Sequence, residues 1–438
     1  MLFLYNLAYF VMSLFYLPSF AVRLRQADNA PQLVKQRFGI LEPAWKERLI
    51  GKKIIWVHAV SVGEVLAVEN FLRRLLVSFP GIHVVLSTVT PTGQKMAQKI
   101  KDERISAVYF PFDFSFAVRS FFRELEPECV ILAETEMWPN LLAEAGRFRV
   151  PVGIVNARLS PRSAKNYGRF SWIFRPLFGA LAFVMAQTDA DAERFQQLGT
   201  APERIRVMGN MKYDNVELGK DRASLSRRFR AQWGIPETSR VLVAGSTHPG
   251  EEKILGQVLS SLREKGSDYA DVKMIVAPRH IERSHALAKE LTAMGLRTAL
   301  ATEYKEGAEF EVLLVDQLGV LKDLYAMADV VFMGGSLIPK GGQNPIEPAA
   351  FERALTHGPY VFNFERVYRV LGDEGGAVMV RDEDDLLFAL ERLLSHPAEL
   401  VSLGKNACQT VRSLRGATDR SLEWLVQLLA PEPQLVKG

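Results

Sequence analysis

From about residue 53 to residue 211, short apolar runs alternate with segments of helical length. The runs are "KIIWVHAV", "HVVLSTVT", "AVYFPF", "ECVILAE", "VPVGIVNA", "LAFVMAQT" and "IRVMGNM". Nearly continuous Val, Ile and Phe runs of this length mark strands buried on both faces, as in a parallel sheet. Strand, helix, strand order at this spacing predicts a doubly wound α/β domain. A charged segment follows, "KYDNVELGKDRASLSRRFRAQWGIPETS", with no strand-like run. It reads as an interdomain connection over 212–238. The alternation then restarts with "VLVAGST", "VKMIVAP", "RTALAT", "EVLLVDQ", "VVFMGGS", "YVFNF" and "AVMV". The pattern predicts two Rossmann-like domains in tandem, 23–211 and 239–430, and a disordered tail, "APEPQLVKG". Ligands of open parallel sheets sit beyond the carboxyl ends of strands, so the residues after each strand are the candidates for chemistry.

The first 22 residues, "MLFLYNLAYFVMSLFYLPSFAV", carry no charge. As a helix they are long enough to cross a hydrocarbon core of about 30 Å. No basic region precedes them and no A-x-A site follows, so they do not read as a cleavable signal. Residues 1–22 are expected to anchor the protein to a membrane, and Arg23 and Arg25 predict that the body stays cytoplasmic. Asn6, Ser13 and Pro18 interrupt the stretch, and Tyr5, Tyr9 and Tyr16 suit an interface. Lying in the membrane surface and packing as a buried first helix therefore both stay open. The remaining composition is that of an ordinary globular chain: 438 residues, 48% hydrophobic, 24% charged, net charge +4. That charge is too weak to argue for nucleic acid. Cys129 and Cys408 lie far apart and have no ligand spacing, which fits a reducing compartment.

"HAVSVGE" (His58 to Glu64) ends one strand and opens a helix. Gly63 is expected to make a sharp turn, and Glu64 to sit at the positive end of the helix dipole, as a helix-start residue or as a functional carboxylate. "AETEMWPN" places Glu134 and Glu136 after another strand, and "GNMKYDN" puts Lys212 near the expected hinge. "STVTPTG", "FPFD" and "NARLS" complete the strand ends of the first domain.

In the second domain "AGSTHPGEE" offers Gly245, Ser246 and Thr247 as an anion or donor loop, or Ser246 and Thr247 as simple helix caps. "APRHIER" sets Arg279 and His280 after a strand, where Arg279 suits a phosphate. "GGSLIPKGGQNPIEP" has two glycine pairs, then Asn344-Pro345-Ile346-Glu347 at a helix start. Asn as cap with Pro at the first helical position explains part of it. Glycines that let a backbone approach phosphate, with a carboxylate for ribose hydroxyls, explain the rest. There is no G-x-G-x-x-G after the first strand, no G-x-x-x-x-G-K-[ST] and no H-E-x-x-H.

Taken in order, the uncharged N-terminal segment, "HAVSVGE", "STVTPTG", "ETEMWPN", "NARLS", "GNMKYD", "AGSTHPGEE", "PRH" and "GGSL…GGQNPIEP" resemble the 3-deoxy-D-manno-octulosonic acid (Kdo) transferases of lipopolysaccharide synthesis. The resemblance covers nearly the whole chain. It implies an α/β protein of the GT-B class, two Rossmann-like domains facing across a cleft, preceded by an N-terminal membrane-associated helix. It implies an inverting glycosyltransferase that needs no metal or other cofactor. The donor would be CMP-Kdo and the acceptor a lipid A precursor (lipid IVA), at the cytoplasmic face of the bacterial inner membrane, with no nucleic-acid partner.

In that family the glutamate of the S-V-G-E turn is the general base, here Glu64. Glu134 matches a second functional carboxylate. Lys212 and Arg279 are the cations expected to meet transition-state charge. The CMP-binding segments map to Pro278 and Arg279, to Leu318, Gly319 and Val320, and to Asn344, Pro345, Ile346 and Glu347. The middle segment departs from the family's usual Met-Gly-Glu, so only backbone contacts are expected there.

The alternative reading is a GT-B nucleotide-sugar 2-epimerase acting on a soluble UDP-sugar. A third is a non-catalytic membrane-bound nucleotide sensor. Finally, "KNYGRFSWIFRPLFGALAF" (Lys165 to Phe183) interleaves basic and aromatic residues. Read as one helix, it is either an interfacial docking element or a core helix with a basic rim.

Overall fold

The computed structural model describes residues 2–26 and 29–429. The expected C-terminal tail lies outside the described residues. The chain forms two compact units, Met1–Asn215 with Arg415–Gly438, and Val216–Leu414.

In the first unit the seven apolar runs form β1 (Lys53–His58), β2 (Ile82–Thr88), β3 (Ile105–Tyr109), β4 (Cys129–Ala133), β5 (Val152–Ala157), β6 (Phe183–Ala186) and β7 (Ile205–Val207). They pair in the order β3-β2-β1-β4-β5-β6-β7, parallel throughout. Alternation along β1 divides its side chains between two cores, Ile54 and Trp56 on one face and Ile55 and Val57 on the other. Both faces are apolar because helices cover both. Trp56 is fully buried, and its indole N–H donates to Ser87 Oγ at 2.8 Å, the partner a buried tryptophan needs.

The second unit repeats the plan with β8 (Val241–Thr247), β9 (Lys273–Pro278), β10 (Thr298–Leu300), β11 (Val312–Leu314), β12 (Val330–Met333), β13 (Ala354–His357) and β14 (Ala377–Met379). The order is β10-β11-β9-β8-β12-β13-β14, again parallel. One expected strand is misplaced. "YVFNF" is irregular, with Tyr360 and Phe362 exposed, and "ALTH" is the strand instead. Thr356 and His357 made that run look polar. Both are buried with partners, since Thr356 Oγ1 donates to Val331 O at 3.2 Å and His357 Nδ1 lies 2.7 Å from Gly358 O.

The domain limits also differ from the expected ones. Residues 212–238 are not a connector. Met211–Tyr213 is a 3-10 turn of the first unit. The helix Arg222–Gln232, capped by Asp221, belongs to the second, and Phe229, Trp233 and Ile235 beside it are buried. The last helix, Ala417–Leu429, returns to the first unit. Its Leu422, Trp424 and Leu425 enter that core, and the Arg206 guanidinium lies 4.7 Å over the Trp424 ring. The Asp214 carboxylate accepts from Gly416 N–H (2.7 Å) and Thr418 N–H (2.6 Å) and so caps this helix.

The N-terminal segment is one helix, Leu2–Gln26. Among the described residues no helix is long and apolar enough to cross a membrane. Polar groups of this helix point at the first unit. Tyr5 OH donates to Asp113 Oδ2 (2.8 Å), Asn6 Nδ2 donates to Ser115 Oγ (2.9 Å), and Tyr9 OH accepts from Asp113 N–H (3.3 Å). Leu7, Phe10, Val11, Leu14, Phe15 and Val22 are exposed instead.

The stretch Lys165 to Phe183 is not one helix. Pro161–Arg169 and Ser171–Gly179 break at Phe170. Phe178 is buried and Tyr167 and Phe174 pack on the core, whereas Phe170 and Trp172 are exposed. The stretch is thus core on one side and exposed aromatic at its corner.

Candidate functional site

Neighbouring strands β2, β1, β4 and β5 deliver the first unit's motifs to one sheet edge. After β1, the helix Val62–Ser78 begins with Ser61 as its cap residue. Glu64, in the first turn, folds back: Val60 N–H donates to its Oε2 at 2.7 Å and Ser61 Oγ to its Oε1 at 2.9 Å. A first-turn glutamate closing on the chain before its helix is ordinary capping chemistry. Here it also fixes a half-buried carboxylate. Burial raises its pKa, opposed by those two hydrogen bonds. Gly63 makes no sharp turn. It sits in the helix, and an added Cβ would meet only Ser61 Oγ, at 3.9 Å.

"STVTPTG" braces this turn. Thr90 caps the helix Pro91–Gln98 through Gly93 N–H, and the N–H groups of Val89 and Thr90 donate to Val60 O (3.2 and 3.3 Å). His58 is a core residue. It is fully buried, stacked 4.0 Å from Phe110, with burial holding its pKa down at about 3. In "FPFD", Asp113 is buried and caps the helix Pro139–Phe148 by accepting from Asn140 and Leu141 N–H (3.1 and 3.0 Å).

Glu134 follows β4 with a left-handed φ of 58°, strained for a non-glycine residue. Lys212 Nζ lies 2.7 Å from Glu134 Oε1. Asn156, also left-handed at 52°, accepts from Met211 N–H at 3.0 Å, and Asn210 accepts from Lys212 N–H at 2.9 Å. The asparagines of "NARLS" and "GNMKYD" therefore aim Lys212 at Glu134. Lys212, expected to meet transition-state charge, is paired with a carboxylate. Glu136, the other strand-end carboxylate of this motif, carries no specific role in the family resemblance. It is half-buried, and burial, then the charges of Glu64 and Glu134, raise its pKa to about 7. Its signal was its place two residues after Glu134. Three carboxylates and one ammonium thus share this edge.

In the second unit Gly245, Ser246 and Thr247 lie within β8, which has an irregular register against β9 there and φ of 55° at Ser246. Neither Ser246 nor Thr247 caps the next helix, Glu251–Glu264, whose cap residue is Gly250. The loop N–H groups beside them are already taken. Glu251, fully buried, accepts from the N–H of His248 (3.0 Å), Gly335 (2.7 Å), Ser336 (3.0 Å) and Leu337 (3.1 Å). These four N–H groups, next to the Gly245–Thr247 segment, are thus held by a protein carboxylate. Sequence reading missed Glu251, whose one signal was its place at a helix start.

The glycine pairs have packing reasons. A Cβ on Gly334 would stand 2.3 Å from Ser246 O, and Gly335, Gly341 and Gly342 have positive φ. Close approach to phosphate is not needed to explain them.

Pro278 ends β9 and is buried, and Arg279 beside it is exposed. Arg279, His280, Lys340 and Arg283 all depress the pKa of His248, after burial, so they gather positive charge around it. Leu318 and Gly319 lie in the exposed loop after β11, and Val320 precedes the short helix Leu321–Leu324. Asn344 Oδ1 accepts from Ile346 N–H (3.2 Å). The helix Ile346–Ala350 starts one residue later than expected, with Pro345 as its cap residue. Burial raises the Glu347 pKa, and Lys322, Asn344 and Lys220 oppose the rise.

Comparison with known proteins adds a family to this geometry. The family described as 3-Deoxy-D-manno-octulosonic-acid transferase (kdotransferase) matches residues 32–215. The chain is 32% identical over 376 residues to the 3-deoxy-D-manno-octulosonic acid transferase of Haemophilus influenzae, covering 85% of this chain and 86% of that one. It is 32% identical over 378 residues to that of Bordetella pertussis, with the same coverage. It is 30% identical over 352 residues to that of Chlamydia trachomatis serovar A, covering 80% and 79%. Among solved structures, a UDP-GlcNAc 2-epimerase from Neisseria meningitidis aligns with TM-score 0.58 at 12% identity, covering 86% of this chain and 100% of that one. A glycosyltransferase from Rickettsia africae aligns with TM-score 0.58 at 13% identity, covering 87% and 99%. At such identity these two speak for the fold alone, two GT-B-like parallel α/β units.

Proposed function

The chain belongs to the 3-deoxy-D-manno-octulosonic acid (Kdo) transferase family, and on that premise we propose that it transfers Kdo from CMP-Kdo to a lipid A precursor, lipid IVA. Glu64 is the general base. The observation that carries this role is its carboxylate, fixed by Val60 N–H and Ser61 OH and half-buried beside the Glu134–Lys212 pair. Those two donors hold both oxygens in place and favour the ionised form a base requires. Glu64 takes the proton from the acceptor's primary hydroxyl as that oxygen bonds to the anomeric carbon of Kdo. The bond from that carbon to the CMP phosphate oxygen breaks on the opposite side, and the electron pair leaves with CMP. The anomeric centre inverts.

Lys212, paired with Glu134, balances the charge of the carboxylate edge rather than meeting the leaving phosphate. The second unit holds the donor. Arg279 meets the phosphate, with Lys340 and Arg283 adding positive charge around a His248 that burial and these neighbours keep neutral. Pro278, Gly319 and the Asn344–Glu347 turn line the nucleotide. Leu318 and Val320 contribute backbone only, and no metal takes part.

The protein works at the cytoplasmic face of the inner membrane. The exposed apolar face of the helix Leu2–Gln26, from Leu7 to Val22, supports lying in the interface, with the exposed Phe170 and Trp172 as a further contact.

The test is direct. Membranes carrying the expressed protein, CMP-Kdo and lipid IVA are combined and the lipid products are read by mass. A Kdo adduct that depends on Glu64 is expected. Absence of any adduct, with conversion of a UDP-sugar instead, replaces this reading by the epimerase.

A further inference from the structure

A cavity of about 310 Å³ lies in the first unit between the N-terminal helix and the sheet edge. Its walls are mostly apolar. Tyr9, Met12 and Ser13 form one side, and Phe110, Phe112 and Trp138 the other. Protein interiors close such space by packing, and an open slot walled largely by aromatic groups suits an apolar guest. Taking a methylene at about the 30 Å³ share of a water, it holds on the order of ten carbons of one chain. Met12 is 69% exposed, so the cavity reaches the surface. There it meets the helix face that shows Phe10, Leu14 and Phe15 to the outside.

The other end of the cavity adjoins the carboxylate edge. Val89 lines it and donates its N–H to Val60 O, while Val60 N–H holds the Glu64 carboxylate. Trp138 belongs to the same turn as Glu134 and Glu136. Arg37 is buried in the wall. It donates to Phe110 O at 2.7 Å and to Val89 O, and stands 5.4 Å over the Phe112 ring. These contacts stiffen the wall of the slot.

We infer that this cavity is an acyl-chain subsite: it takes one chain of the acceptor lipid while the acceptor's hydroxyl meets Glu64. The inference rests on the transferase reading above, and the occupant is the acceptor's own chain, not a lipid of the surrounding bilayer.

Two measurements on the full-length protein test it. Brominated dodecanoic acid should quench part of the tryptophan fluorescence. That part should vanish in Trp138→Phe, which identifies the reporter, and in Ser13→Phe, which fills the slot. In steady-state transfer, Ser13→Phe should raise KM for the acylated acceptor about tenfold, since burial of two methylenes already corresponds to that factor. Its kcat, and both constants for the deacylated disaccharide acceptor, should stay as in the parent. Met12→Trp, at the exposed rim, repeats the block if Ser13→Phe does not fold. Absence of Trp138 quenching overturns the inference, as does an equal effect of the block on both acceptors. Quenching together with equal KM for the two acceptors in the parent assigns the cavity to bilayer lipid and also overturns it. A parent that binds the brominated chain yet transfers Kdo to neither acceptor overturns the transferase reading instead.

Discussion

Glu64 caps a helix and is the proposed base, and the two roles can be separated. Glu64→Gln keeps an acceptor for Val60 N–H or Ser61 OH. It should therefore preserve the fold while transfer falls by about 10² to 10⁴, the usual worth of a general base. A variant within a few-fold of the parent removes Glu64 from the mechanism. Because burial raises its pKa, kcat/KM should drop as pH falls through a value above the ordinary 4.5, and Glu64→Gln should lose that limb. Glu136 gives a second pH test. Its folded pKa is about 7, against 4.5 for the free side chain. Between those values the folded protein binds more protons than the unfolded one, so stability declines as pH rises. Glu136→Gln should be more stable than the parent at pH 8 and no more stable at pH 4, read by urea denaturation at both. In the second unit, Arg279→Ala should weaken CMP binding at least about tenfold, the scale of a charge-assisted hydrogen bond. Calorimetry showing unchanged affinity excludes Arg279 from the site.

At the level of elements, the Glu251 clasp joins the start of one helix to the Gly335–Leu337 loop. Glu251→Ala strands four backbone donors, where even one buried unpaired group costs about 1–3 kcal/mol. Thermal unfolding should show a loss of that order or more. A variant with the parent's midpoint means that the loop is held by its other contacts. The N-terminal helix makes an opposite demand. It turns Tyr5, Asn6 and Tyr9 inward and Leu7, Phe10, Leu14 and Phe15 outward. On the proposed reading, the membrane interface covers the outer face. Phe10→Ser with Phe15→Ser should leave those inward bonds intact but lower cosedimentation with anionic liposomes at high salt. Full binding by this variant gives the membrane contact to Phe170, Trp172 or another surface.

For the whole molecule, the last helix makes the first unit discontinuous in sequence. Ending the chain after Leu414 removes Leu422, Trp424 and Leu425 from its core and frees the Asp214 cap. Loss of a single buried aromatic already costs about 3–5 kcal/mol. The truncated protein should unfold its first unit early while the second, Val216–Leu414, keeps its transition. A single cooperative transition at the parent's midpoint sinks that expectation.

Much of this was legible in the chain because burial on both faces forces continuous apolar runs. Thirteen of the fourteen expected strands fall where such runs occur. The motifs at their ends were legible too, since small and polar residues after a strand stand out against it. The miss, "ALTH", failed because hydropathy cannot see that a buried Thr and His have partners. Roles of particular groups were also hidden. The pairing of Lys212 with Glu134, set by Asn156 and Asn210, has no local signal. The packing of Gly334 against Ser246 was equally invisible to the local pattern. The sequence by itself determined two parallel α/β folds and the identity of the residues at their strand ends, because local apolar pattern encodes burial. Tertiary structure alone decided which carboxylates and cations meet, which N–H groups Glu251 occupies and where the last helix docks. Those depend on contacts between residues tens to hundreds of positions apart, which no local pattern carries.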